Sequence, residues 1–339
     1  MAITEAGGYR PLTEFVLGRL GSLRPAWVVV LVLLPWLRDA VQFVLFRDAG
    51  LVGDGWITAR APTAVTNSYL ILLSIWGAAR VTRQLVALEG TDTGAGRDDG
   101  PMTARAGTPA AWLVPPVLLA LLLTLVIEAG RIAEFGVAAA RETPLPFALG
   151  AVIGFVMRLA PMTAFWTAVI VLVSLSRLGA PRVRPENFPP DRSLGMRPVG
   201  ELAFSVFWLA TAAFVPIFVI RSPSMLDVAL SLGFFAVAGS VLVLALWRLH
   251  TAMARSKVIC VEAARTRYAK AYRAALEDTD ARDVERRAHG LAVAEALLRG
   301  ADSIQEWPLD ERMIRVVALI GVGVTTGVTV RLLTLPLGI

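Results

Sequence analysis

The chain has 339 residues, of which 56% are apolar and 18% are charged, and its mean hydropathy is +0.63. Soluble domains are about 45–50% apolar and about 25% charged, so this composition favours lipid as the solvent of the folded chain. It excludes a disordered chain and a disulfide-stabilised scaffold, since Cys260 is the single cysteine. It also excludes a nucleic-acid-binding domain, because 31 of the 33 cationic residues are arginines placed beside apolar runs.

Windows that are almost free of charge predict the membrane spans. A hydrocarbon core about 30 Å thick needs roughly 20 helical residues to cross it. Seven windows approach or exceed this length, although Arg38 and Asp39 interrupt the first and Arg158 interrupts the fourth. The seventh contains Arg315 and Arg331 on either side of its charge-free core, Val316–Val330. In chain order the windows are residues 26–46, 61–79, 106–127, 143–176, 202–220, 228–247 and 313–335. The sequence therefore predicts an all-α protein, a polytopic bundle of seven transmembrane helices.

The distribution of cationic residues predicts the orientation of these spans. Of the 33 cations, 25 fall in segments on the side that holds the N-terminus, seven fall on the opposite side, and Arg158 lies within the fourth span. Without the long segment before the last span, the excess is still 12 against seven. Because cytoplasmic segments carry the excess of Lys and Arg, we expect a multi-pass protein of the plasma (inner) membrane. Its N-terminus is then cytoplasmic and its C-terminus external.

The predicted spans divide the chain into four regions. Residues 1–25 form a cytoplasmic N-terminal segment, and residues 26–248 contain the first six spans. Residues 249–312 carry two apolar seams at helical spacing, which predict a cytoplasmic helical hairpin before the last span. Residues 313–339 form the seventh span and a short external tail. The seams suit packing within one chain or between subunits of a homo-oligomer.

A basic loop over residues 177–200 contains five arginines and five prolines. Such a loop is typical of an ordinary anchor on the cytoplasmic side of a membrane. It also suits a site for anionic lipid headgroups. The partners that we expect are therefore the lipid bilayer, anionic lipids at this loop and further copies of the chain, but no nucleic acid.

Charges inside the predicted spans are candidates for function, because a buried ion in a bilayer is rarely kept without a partner or a role. At about 1.5 Å per residue, Arg158 lies about 16 Å from the outer end of the fourth span. Asp39 lies about 20 Å from the inner end of the first span. These similar depths predict an Asp39–Arg158 ion pair, which either holds helices together or belongs to a gate or transport path. Arg38 is expected to point outward instead, since neighbours in sequence face different sides of a helix.

The last span has two unlike faces on a helical wheel. Gly323 and Gly327 form a Gly-x3-Gly pair that lets another helix approach closely. The opposite, hydroxyl-bearing face consists of Gly321, Thr325, Thr326 and Thr329. These four residues suit the lining of a narrow aqueous pore, or plain helix packing in which the hydroxyls bond to their own helix.

The order of these elements resembles the insect gustatory and odorant receptor superfamily of ion channels. That family has seven spans, a cytoplasmic N-terminus, long cytoplasmic helical extensions and a pore lined by the last span. The resemblance implies a channel-like or receptor-like protein whose last span, residues 313–335, lines a possible ion pathway. The Trp307–Asp310 entry into that span is also similar to uncharacterised prokaryotic multi-span membrane proteins.

Two alternatives to a channel remain open, and neither is an enzyme. His250 and His289 are the two histidines and have no partner at metal-ligand spacing, and the chain has no phosphate-binding loop. We therefore expect no catalytic residue, metal or cofactor. The first alternative is a secondary transporter with Arg158 and Asp39 in a site near the midplane. The second is a non-conducting scaffold or sensor subunit whose hairpin recruits a partner.

Overall fold

A computed structural model describes residues 11–90, 109–176, 196–219, 225–277 and 284–307, and eight positions between 313 and 326. Within these ranges the chain is all-helical and contains no strand, as the sequence predicts. The α-helices in chain order are α1 (Leu12–Arg19), α2 (Arg24–Asp48), α3 (Trp56–Gly90), α4 (Pro109–Phe135), α5 (Val137–Glu142), α6 (Pro144–Ser176), α7 (Arg197–Val219), α8 (Met225–Glu277) and α9 (Val284–Asp302).

Three helical segments of the described chain are long and apolar enough to cross a membrane. They are Gly21–Asp48, Leu113–Phe135 and Pro144–Leu175, which correspond to α2, α4 and α6. The first and last of these segments match the first and fourth predicted spans. The middle one overlaps the third, residues 106–127, but begins seven and ends eight residues later than predicted, so that Glu128 and Arg131 lie inside it. The second, fifth and sixth predicted spans fall within α3, α7 and α8, apart from residue 220. The described part of the chain is therefore helical with three candidate membrane spans, and the count of seven stays a prediction.

The reversal between α4 and α6 follows from local backbone chemistry. α4 ends at Phe135, and Gly136 follows with a φ of 92°, which glycine adopts without steric strain. The N–H of Gly136 donates to the carbonyl of Ile132 at 2.9 Å and so satisfies one carbonyl of the last turn. After the short α5, Pro144 begins α6, a position where its missing N–H leaves no helical bond unmade.

Aromatic contacts establish the directions of α2, α4 and α6. The ring of Phe46, near the end of α2, lies 5.0 Å from that of Phe135 at the end of α4 and 5.3 Å from that of Phe147 at the start of α6 (centroid distances). α2 and α4 therefore point the same way, and α6 runs against both. Successive spans of a polytopic chain cross in opposite directions. The first and third spans must therefore run parallel, and the fourth must run against them.

The described part of the hairpin consists of the second half of α8 and of α9. The Nζ of Lys257 lies 3.2 Å from Oε1 of Glu306, just after α9, so α9 runs back along α8. Ala264 on α8 and Ala301 on α9 are fully buried and belong to one apolar core. Their small side chains allow the two helices to approach closely.

Apolar side chains pack the remaining described helices. The larger core joins α3, α6, α7, α8 and α9. A smaller core contains Leu17 of α1, which lies with Ile71 and Ile75 of α3 and Met157 of α6. α1 is thus packed into the helical bundle through Leu17, although the first ten residues of the chain are outside the described part.

Candidate functional site

Polar and charged side chains converge between α2, α4 and α6, within the three candidate spans. We call them the charged cluster. Six of the members are buried, with exposed fractions of 7% or less, and the seventh, Arg158, is half-buried. The members are Arg38, Asp39 and Gln42 on α2, Thr124, Glu128 and Arg131 on α4, and Arg158 on α6. Spacings of three and four residues place most of them on one face of each helix.

A chain of hydrogen bonds through Gln42 joins the three helices. The guanidinium of Arg131 donates from Nη1 to Oε1 of Gln42 at 2.9 Å. The amide of Gln42 donates from Nε2 to the carbonyl of Pro146 at 3.1 Å. A single neutral side chain therefore links α4 to α2 and α2 to α6.

The carboxylate of Glu128 lies between two guanidinium groups but does not bond tightly to either. Its Oε1 is 3.5 Å from Nη1 of Arg131 and 3.9 Å from Nη2 of Arg38. Both carboxylate oxygens of Glu128, and Nε of Arg38, are buried and have no hydrogen-bond partner in the part of the chain that the structure describes. Buried polar atoms are normally satisfied, so these three atoms point to a missing partner.

The charge of Arg158 meets only a neutral partner among the described side chains. Its Nη1 donates to Oγ1 of Thr124 at 3.0 Å. The hydroxyl of Thr124 in turn donates to the carbonyl of Ala120 at 2.7 Å, which fixes its lone pairs toward Arg158. Glu128 acts on Arg158 electrostatically but is not within ion-pair distance of it.

Two glycines on α6 make room for these side chains. A Cβ atom at Gly154 would lie 2.6 Å from Nη1 of Arg158. A Cβ atom at Gly150 would overlap the amide of Gln42 and lie 3.2 Å from Nη1 of Arg131. Gly150, Gly154 and Arg158 are each four residues apart and lie on one face of α6. At the two glycines this face brings backbone without a side chain against the cluster.

Three phenylalanine rings cover one end of the charged cluster. Phe46 and Phe135 follow Gln42 and Arg131 by four residues on their helices, and Phe147 follows Pro146 directly. The rings contact one another, and Phe46 is fully buried. The rings therefore place an apolar layer between the cluster and that end of the bundle, which strengthens electrostatic interactions inside it.

The expected Asp39–Arg158 pair is not among the ion pairs of the described residues. α2 and α6 do pack against each other, as this pair would require. However, the cations that act most strongly on Asp39 are Arg38 and Arg131. The expectation that Arg38 points outward is wrong, because Arg38 is 4% exposed and faces Glu128. The reason is that Glu128 on α4 supplies a negative charge at the depth of Arg38. A helical wheel of α2 alone does not show this charge.

Most candidates on the last span lie outside the described residues, namely Gly321, Thr325, Thr329 and Gly327. Gly323 and Thr326 are helical and exposed in the single chain, and a Cβ atom at Gly323 would meet no other atom within 4 Å. Residues 177–195 of the basic loop are also outside the described part, so its lipid contacts stay a prediction.

Metal-ligating side chains do not converge anywhere in the described ranges: no group of three or more His, Cys, Asp or Glu residues is placed to hold an ion. His250 instead contacts the residues that follow α9. Its Nδ1 lies 2.8 Å from the carbonyl oxygen of Glu306, and its ring stacks on that of Trp307 with the centroids 4.2 Å apart. His289 is exposed on α9.

Sequence reasoning named Asp39 and Arg158 but missed most of the cluster around them. The omitted residues are Gln42 and Thr124 of the cluster and the adjoining Gly150 and Gly154, together with the inward role of Arg38, Glu128 and Arg131. A usable signal was present in the spacing, because Arg38 and Gln42, Thr124 and Glu128, and Gly154 and Arg158 are each four residues apart. Polar residues repeated at this interval inside an apolar helix indicate one face turned toward other helices.

No protein-family model matches this chain, and no curated protein or solved structure is significantly similar to it.

Proposed function

We propose that the chain is a seven-span protein of the plasma (inner) membrane that transports a charged solute, with the charged cluster as its binding site. The observation that carries this proposal is the state of Glu128 and Arg38: both buried carboxylate oxygens of Glu128 and Nε of Arg38 have no hydrogen-bond partner among the described residues. A permanent structural ion pair in a dry interior needs good geometry and further hydrogen bonds to offset its desolvation. The contacts of 3.5 and 3.9 Å around Glu128 do not supply them.

The topology in this proposal is supported by two independent features. The arginine distribution favours a cytoplasmic N-terminus and an external C-terminus. The parallel arrangement of α2 and α4 against α6 agrees with alternate crossing by the first, third and fourth spans. Reporter fusions at the two termini test it directly, and the proposal fails if both reporters are accessible from the same side.

Flux through the reconstituted full-length protein tests the transport role. Liposomes containing the wild-type chain should exchange a charged solute faster than empty liposomes. Glu128→Gln and Arg158→Gln should each lose most of this flux, because each removes a charge from the cluster. Arg141→Gln is a matched control, since Arg141 is an exposed arginine on α5. Flux that is unaffected by the two cluster variants would contradict the proposal.

A channel formed by several copies of the chain is the second candidate function. It is favoured by the described helical positions of the last predicted span. Among them Val316, Leu319, Val322, Gly323 and Thr326 are exposed in the single chain. An exposed helix face that combines small, hydroxyl-bearing and aliphatic residues suits contact with another copy. In that case Thr326→Leu should alter the ion current, whereas the cluster variants should not. The purified protein should also be a cyclic oligomer.

A further inference from the structure

Resting on the proposed transport role, we infer that the charged cluster binds a small monovalent anion, such as a halide or a small carboxylate. The cluster contains three guanidinium groups, on Arg38, Arg131 and Arg158, and two carboxylates, on Asp39 and Glu128. It therefore carries one positive charge in excess when all five groups are ionised. An unbalanced charge in an apolar interior is strongly disfavoured, and one monovalent anion restores neutrality.

The donors for this anion come from Arg158 and Arg38. Arg131 already donates to Gln42 and faces Glu128. Arg158 donates to the neutral hydroxyl of Thr124, and Nε of Arg38 is buried without a hydrogen-bond partner in the described chain. A guanidinium group has five N–H donors arranged in a fixed fork. Several donors on these two side chains are thus available to an acceptor that brings negative charge.

The net charge of the cluster disfavours a cation at the same place. A cation would add to the excess positive charge of the five ionised groups. Arg60 acts electrostatically on Arg38, Asp39 and Arg131 and contributes a further positive charge at the edge of the cluster. Gly154 lets the guanidinium of Arg158 lie against its own helix, so that this charge stays inside the bundle.

Calorimetric titration of the purified full-length protein tests this inference, with chloride and acetate as separate probes in nanodiscs of phosphatidylcholine. We expect saturable binding of at least one probe. Arg158→Gln should weaken it roughly tenfold or more, as expected for the loss of a charged hydrogen-bond donor. Arg158→Lys should retain part of the affinity, and Arg141→Gln should bind like the wild type. Absence of binding by both probes, or equal binding by Arg158→Gln, would overturn the inference.

Further measurements separate the possible reasons for failure. Size-exclusion profiles show whether each variant is folded, and Arg158→Lys provides a second test if Arg158→Gln is not. Cluster-dependent flux of a cation, without anion binding, would overturn the anion inference and leave the transport role intact. Arg158-dependent anion binding without flux would support the inference and contradict transport. Loss of probe binding in nanodiscs that contain phosphatidylglycerol would identify a lipid headgroup phosphate as the source of the anion.

Discussion

Gln42 accepts a hydrogen bond from Arg131 at 2.9 Å and thereby joins α2 to α4 inside an apolar bundle. Its other end donates to the carbonyl of Pro146 on α6. With an exposed fraction of 1%, Gln42 has no access to water that could replace either bond. The side chain therefore determines how three helices meet, even though it carries no charge.

Replacing Gln42 by Leu should destabilise the protein by about 1–3 kcal/mol, because a buried donor on Arg131 and the carbonyl of Pro146 lose their partner. Thermal unfolding of the detergent-solubilised protein measures this loss. Gln42→Glu should retain more stability, since a carboxylate still accepts from Arg131. Gln305→Leu, at a half-buried position after α9, is the control. Equal melting temperatures for Gln42→Leu and Gln305→Leu would show that the network contributes little.

Gly150→Ala should also disturb this network, because its Cβ atom would overlap the amide of Gln42. Displacing that amide breaks the link between α2 and α6, and we expect a destabilisation of about 1–3 kcal/mol, as for other overpacked sites. Flux in liposomes should fall as well.

Gly130→Ala on α4 is the matched control for Gly150→Ala. Gly130 is exposed, and a Cβ atom there would meet nothing within 4 Å. Alanine is also the better helix former by about 1 kcal/mol, so Gly130→Ala should be neutral or slightly stabilising. A Gly150→Ala protein that matches it in stability and flux would argue against close packing at the cluster.

The sequence was sufficient for the helical class and for three of the predicted spans, because apolar length is a local property. α2 and α6 coincide with windows that are long and nearly free of charge, and α4 overlaps a third such window. The partners of the buried charges could not be predicted in the same way. Whether Arg38 faces lipid or Glu128 depends on the rotation of α2 relative to α4, which is determined by packing between distant segments. The i,i+4 spacing of Arg38 and Gln42 restricts that rotation but does not identify the neighbouring helix.

Ala264→Leu should destabilise the hairpin formed by α8 and α9. Ala264 is fully buried between the two helices, so the larger side chain must push them apart, at a typical cost of about 1–3 kcal/mol. Ala269→Leu, on an exposed position of the same helix, should leave stability nearly unchanged. Thermal unfolding of both variants gives the comparison, and similar melting temperatures would mean that α9 does not pack closely on α8.

The thiol of Cys260 provides a probe of the same contact, beyond the predicted sixth span. Cys260 is 2% exposed, and burial raises the pKa of its thiol above the usual value. Because the thiolate is the nucleophile, the folded protein should react slowly with iodoacetamide at pH 8 and faster as the pH rises. The denatured protein should react at the rate of a free cysteine. Mass spectrometry of the alkylated chain measures both rates.

A cysteine at an exposed position of α8 serves as the comparison. In a Cys260→Ala background, Ala269→Cys should be alkylated rapidly in the folded state, since residue 269 is exposed. The raised pKa of the Cys260 thiol also makes the stability of the protein depend on pH, because the folded state holds the thiol proton more tightly than the unfolded state. This contribution to the free energy of unfolding is complete below the pKa of the thiol in the unfolded state. It is lost as the pH rises through the pKa of the thiol in the folded state. Cys260→Ala should therefore reduce the decline in melting temperature at alkaline pH. Rapid alkylation of folded Cys260, together with an unchanged alkaline profile, would show that α9 does not cover this face of α8.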